Sequence, residues 1–97
     1  MKVQNMTGRT GRQVANQFIV MDDDGKTKTI YFQSYNSIIV KQVLEYDAGR
    51  YWVTYLDSYY WDYSVTTGKY RNIFLNETKK ETEQKIESGE YKLINLN

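Results

Sequence analysis

Thr67-Gly68-Lys69 is where the chain comes nearest to a phosphate-binding loop. Such a loop needs a first glycine five residues before Gly68 and a hydroxyl after the lysine. Tyr63 and Tyr70 occupy those positions. The backbone then cannot wrap phosphates and no hydroxyl reaches magnesium, so Thr67 reads as a helix cap. Asp22, Asp23 and Asp24 could attract a divalent ion, but consecutive side chains diverge and the alternate ligands of a calcium loop are missing. A solvated turn is the better reading. Glu77, Glu81, Glu83 and Glu87 are carboxylates at helical spacing, yet lysines are interleaved and no apolar surroundings would raise a pKa. They read as a solvated helix face. The 97 residues include no cysteine and no histidine, which excludes disulfides, thiolate nucleophiles and Cys/His zinc sites. The commonest general base is missing as well. We therefore expect no catalytic, cofactor-binding or metal-binding residues.

Residues suited to binding are more promising. "YYWDYSVTTGKYRNIFL", Tyr59 to Leu75, holds more aromatic side chains than one small core needs. Trp61, Val65, Tyr70, Ile73 and Phe74 are spaced to cover a sheet. Tyr59, Tyr60 and Tyr63 are too many to bury together, and tyrosine is a residue that anchors protein interfaces. Arg71, able to make forked bonds to a carboxylate, joins them as an expected partner contact. The alternative is single-stranded nucleic acid. Arg9 and Arg12 in a locally basic amino-terminal stretch could meet phosphates, while Tyr51 and Tyr55, with Tyr31, stack bases. A net charge of +1 speaks against that alternative, because phosphate attraction supplies most of such affinity.

These residues need elements to hold them. A chain of this length is one domain with a single modest core. Polar residues 1–12 read as a flexible basic arm, and residues 13–97 as one α+β domain. Val14–Met21 and Lys26–Phe32 read as strands joined at Asp-Gly, a strong hairpin signal. Ile38–Tyr46 follows, with Ile38, Val40, Leu44 and Tyr46 on one face, interrupted by Gln42. In Arg50–Leu56, Tyr51, Val53 and Tyr55 face one way and Trp52, Thr54 and Leu56 the other. Thr67 caps a helix over Gly68–Leu75, and Asn76 caps a second over Glu77–Ser88, which Gly89 ends. Ile86 is the second helix's one large apolar residue, so that helix should lie on the surface. Tyr91–Leu96 is a closing strand. The fold expected is an antiparallel sheet of four to five strands with two short helices after the fourth strand.

Three runs, "YFQSYNSIIVK", "YWDYSVTTGKYRNIFLNETKKETEQKIESGEY" and the closing "LINLN", resemble small proteins of unassigned function from phages and mobile elements of Gram-positive bacteria. The opening "MTGRTGRQVANQF" is similar to that family's start. The resemblance implies a non-catalytic accessory protein that binds and inhibits a host protein, a defence nuclease such as a CRISPR effector being one such target. It implies no particular site residues. The missing apolar leader and missing 18-residue apolar run add the expectation of a cytoplasmic protein with no membrane partner.

Overall fold

In the computed structural model, which describes residues 1–8, 10–49 and 51–97, the turn at Asp22–Gly25 is built from its own carboxylates. Asp23 Oδ1 accepts the Gly25 N–H at 3.0 Å, and Asp24 Oδ1 accepts those of Lys26 and Thr27 at 2.9 and 2.8 Å. Gly25 supplies the positive φ, 87°, that the reversal requires. Among the described residues no acidic cluster is placed to hold a metal.

The elements run β1 (Lys2–Thr7), β2 (Gln13–Asp23), β3 (Thr27–Ser34), β4 (Ser37–Glu45), β5 (Trp52–Asp57), α1 (Val65–Leu75), α2 (Lys79–Ser88) and β6 (Tyr91–Ile94). The strands form one sheet whose spatial order is the sequence order. β1 to β5 pair antiparallel; β6 lies parallel to β5, after the two helices. The α+β class is as expected. The sheet is mixed and six-stranded, however, and the helices follow the fifth strand. The additional strand is β1, in the stretch expected to be a free arm. Lys2 to Asn5 pair with Met21 to Phe18, and Met6 is buried in the core. Backbone pairing supplies what the few apolar side chains of this edge strand do not.

Alternation sorts the side chains into two faces. Ile19, Phe32, Val40, Leu56 and Leu93 form one register row, while Val3, Val20, Tyr31, Lys41, Tyr55 and Lys92 form the adjacent row on the opposite face. The helices cover the first face. Phe74 of α1 stacks on Phe32 with ring centroids 5.8 Å apart, and Ile86 of α2 packs against the same core. Full burial of a side chain such as Phe32 is worth about 1.5–3 kcal/mol.

A bulge corrects the period-two reading of β4. Phe32 pairs with Val40 and Gln33 with Ile38, which leaves Ile39 as the additional residue. Ile39 and Val40 both enter the core. The Ile38 backbone is completed instead by the Asn97 side chain: its N–H donates to Asn97 Oδ1 at 2.7 Å, and Asn97 Nδ2 donates to its carbonyl at 2.9 Å.

The helix boundaries differ from expectation because the caps differ. Ser64, not Thr67, caps α1, its hydroxyl accepting the Thr67 N–H at 3.1 Å. Thr67 is buried, its hydroxyl 3.0 Å from that of Ser34. Asn76 ends α1 in the left-handed conformation, at φ 54°, and does not start α2. Thr78 caps α2 in a reciprocal box with Glu81. Among the described residues no helix is long and apolar enough to cross a membrane.

Candidate functional site: a braced tyrosine loop

The segment between β5 and α1 begins at Asp57, a carboxylate buried at the end of a strand. Its Oδ2 accepts the N–H groups of Tyr59 and Tyr60 at 3.0 and 2.7 Å, and Oδ1 accepts that of Leu96 at 2.8 Å. One side chain thus turns the chain sharply and fastens the turn to the carboxyl-terminal segment. Burial pushes the Asp57 carboxyl upward, but these N–H groups outweigh it and hold the acid below its ordinary value.

Arg71 reaches the same loop from α1. It is 1% exposed, with Nη1 donating to the Trp61 carbonyl at 2.6 Å and to Asp62 Oδ1 at 3.2 Å, and Nη2 to Asn72 Oδ1 at 3.0 Å. Its guanidinium lies 5.2 Å from the Trp61 ring centre. Lys79 of α2 binds the other Asp62 oxygen at 2.7 Å. Burial raises the Asp62 pKa, and the two cations more than reverse that, leaving it below the ordinary value. The expectation that Arg71 contacts a partner is therefore corrected. Both terminal nitrogens of the guanidinium are engaged internally, Nε is buried without a hydrogen-bond partner among the described residues, and no solvent-facing atoms remain to offer.

These braces bring the three expected tyrosines together. Tyr59 and Tyr60 meet edge to face with centroids 4.7 Å apart; Tyr60 and Tyr63 lie 5.3 Å apart, Tyr59 and Tyr63 6.0 Å. Tyr60 packs against the core, whereas Tyr59 and Tyr63 are 71% and 62% exposed. Beside Tyr63 a groove of roughly 1180 Å³ runs along α1, lined by Val65, Lys69, Ile73 and Lys79 and also by Thr7 of β1. Val65 and Ile73 are exposed there, so the apolar surface continues from the loop onto the helix.

The residues expected to meet nucleic acid are not gathered in one place. Arg9 lies outside the described residues, as does Arg50, the expected start of β5. Arg12 follows β1 at one end of the sheet, while Tyr51 precedes β5 at the opposite end. Tyr51 and Tyr55 do share a face, both lining a shallow depression with Val43 and Val53.

A second polar cluster was not legible in the sequence. Glu77, assigned to a solvated helix face, sits between the helices with its side chain 3% exposed. It accepts hydrogen bonds from the Thr82 and Tyr91 hydroxyls and from Lys85 Nζ, the last two at 2.7 and 2.9 Å. Burial pushes its pKa up and those three donors bring it below the ordinary value. Burial and Glu77 together push the Tyr91 phenol up to about 12. The cluster fastens α2 to β6. The signal that could have revealed it is Thr78-Lys79-Lys80-Glu81, a capping box that places Glu77 before the helix.

A model of a family of unknown function (DUF8033) matches residues 1–90. The chain belongs to that family. The match takes in every strand but β6, both helices and the whole tyrosine loop. No curated protein and no solved structure matches the chain.

Proposed function

We propose that this member of the family is a non-catalytic binding protein that docks on another protein through the Tyr59–Tyr63 loop. The observation that carries the reading is a solvent-facing tyrosine pair on a loop braced by Asp57, Arg71 and Lys79. Ordering a loop on binding ordinarily costs free energy, and a loop already ordered avoids that cost. Tyrosines flanked by exposed Val65 and Ile73 match the composition of interface centres. The narrower form of the proposal, an inhibitor of a bacterial host's defence nuclease acting in the cytoplasm, comes from the resemblance rather than from the site geometry.

Affinity capture from a bacterial lysate with the wild-type chain and the Tyr59→Ala/Tyr63→Ala variant tests this. A protein retained by the first and lost by the second is expected, followed by direct titration of that pair. Each truncation should weaken the complex by about 2 kcal/mol. Identical recovery by both baits, or a captured protein that binds the variant equally well, would sink the proposal.

A further inference from the structure

The sheet face opposite the helices carries its own display. Tyr31, Lys41, Tyr55 and Lys92 stand in one register row across β3, β4, β5 and β6, so rings and ammonium groups alternate strand by strand. Lys41 Nζ lies 6.0 Å from the Tyr31 ring centre. Tyr31, Lys41 and Tyr55 are half-buried by their neighbours, and Lys92 is exposed. The helix contacts with the sheet go to Phe32, Ser34 and Tyr91, whose side chains project from the other face. Around the row lie Val20, Val43 and Val53, with Tyr51 at the margin.

We infer that this face binds single-stranded nucleic acid, with Tyr31 and Tyr55 as base platforms and Lys41 and Lys92 as phosphate contacts. Neighbouring strands stand about 4.8 Å apart, so the two rings, two strands apart, are separated by about 10 Å. That leaves room for one base on each ring and the linking phosphate over Lys41. A tyrosine face is open to any base, since every base presents a π surface. The charge argues against a second copy of the chain as the occupant. Lys41 lies on β4, an interior strand, and pressing two such faces together would strip its ammonium of water, a costly step for an unpaired charge. Of the acids on the same face, Asp22 and Glu45 lie toward the sheet end away from the tyrosine loop, and Asp57, two residues from Tyr55, is buried with its oxygens taken by the Tyr59, Tyr60 and Leu96 N–H groups. An occupant that carries both flat rings and negative charge satisfies the row as it stands. The site is separate from the Tyr59–Tyr63 loop.

Fluorescence anisotropy with a labelled oligothymidine of about ten nucleotides, titrated with the full chain at low salt, tests the inference. Saturable binding is expected. Two phosphate contacts give a slope of about −1.4 in a plot of log affinity against log salt. Tyr55→Leu and Tyr31→Leu, which keep apolar bulk but lose the stacking ring, should each weaken binding roughly tenfold. Lys41→Gln should flatten the salt slope by about 0.7. Tyr59→Ala should leave oligonucleotide binding unchanged, and circular dichroism would verify that each variant is folded. Absence of binding at low salt overturns the inference, as does equal affinity for duplex of the same length. A folded Tyr55→Leu variant that binds as wild type also overturns it. So does sedimentation showing a dimer that Tyr55→Asp dissociates.

Discussion

Two groups of tyrosines reach solvent in this protein by different physical routes. Tyr31 and Tyr55 stand on a sheet, where backbone pairing sets their spacing and alternation sets their direction. Tyr59 and Tyr63 stand on a loop, where no ladder exists and a few charged side chains supply the order. The sheet display is redundant, because many backbone bonds fix each ring. The loop display is concentrated, because Asp57 and Arg71 each satisfy several backbone or side-chain groups at once. Single substitutions should therefore disturb the loop far more than the sheet.

The largest effect is expected at Arg71. Arg71→Met keeps the stem against Trp61 but abandons the Trp61 carbonyl and leaves Asp62 with Lys79 alone. Removing one partner from a buried charged network costs about 3 kcal/mol or more. Urea unfolding should show the loss as a lower midpoint. An unchanged midpoint would mean that the brace is dispensable. Asp57→Asn comes next, at about 2 kcal/mol. The amide oxygen can still serve Tyr59 and Tyr60, but the amide nitrogen then confronts the Leu96 N–H, donor against donor. If Asp57→Asn proves as stable as wild type, the loop is held by other means.

Acid should act on the same braces. Asp57, Asp62 and Glu77 all have folded pKa values below their ordinary ones, 3.8 for the aspartates and 4.5 for the glutamate. A depressed acid contributes stability that is fully present above the unfolded pKa and is lost as pH falls through the folded pKa. The urea midpoint should thus hold from pH 7 to 5 and decline below about pH 4. Stability that rises on acidification would contradict the assignment of these acids as ionised partners.

A smaller change is expected at the second helix. Thr78→Ala removes the hydroxyl that accepts the Glu81 N–H, keeps the reciprocal bond from the Thr78 N–H to Glu81 Oε1, and should cost about 1 kcal/mol. The smallest belongs to the sheet display. Tyr31→Leu should shift stability by less than about 0.5 kcal/mol, as ring and replacement alike sit on an open face. A shift as large as that of Arg71→Met would erase the distinction between the two displays.

The contrast also explains what the sequence could and could not reveal. The Asp-Gly hairpin, the two faces of β5 and the crowding of Tyr59, Tyr60 and Tyr63 follow from local rules and are present in the structure. β1 is different. Its residues carry only Val3 and Met6 as apolar strand signals, and its pairing with β2 is a property of the assembled sheet. Asn76 was open to two readings, since asparagine serves helix starts and left-handed ends alike. Arg71 is spaced like a surface residue beside an aromatic; only the return of the loop over α1 makes it internal. Glu77 likewise becomes buried because β6 brings Tyr91 beside it.

The Asn97 amide that completes Ile38 bears on the order in which the molecule assembles. β1 to β5 are joined by short turns, so each can zip onto its predecessor as soon as it exists. Ile38 and Asn97 are 59 residues apart, and β6 must wait for two helices to form. Closing that long loop instead of a four-residue turn adds an entropic cost of about 2 kcal/mol. The seam between β4 and the carboxyl-terminal segment should therefore be the last to close and the first to open. In pulsed hydrogen exchange during refolding, the Ile38 amide should gain protection after those of β3. Simultaneous protection would show instead that the sheet and its final clasp form in one step.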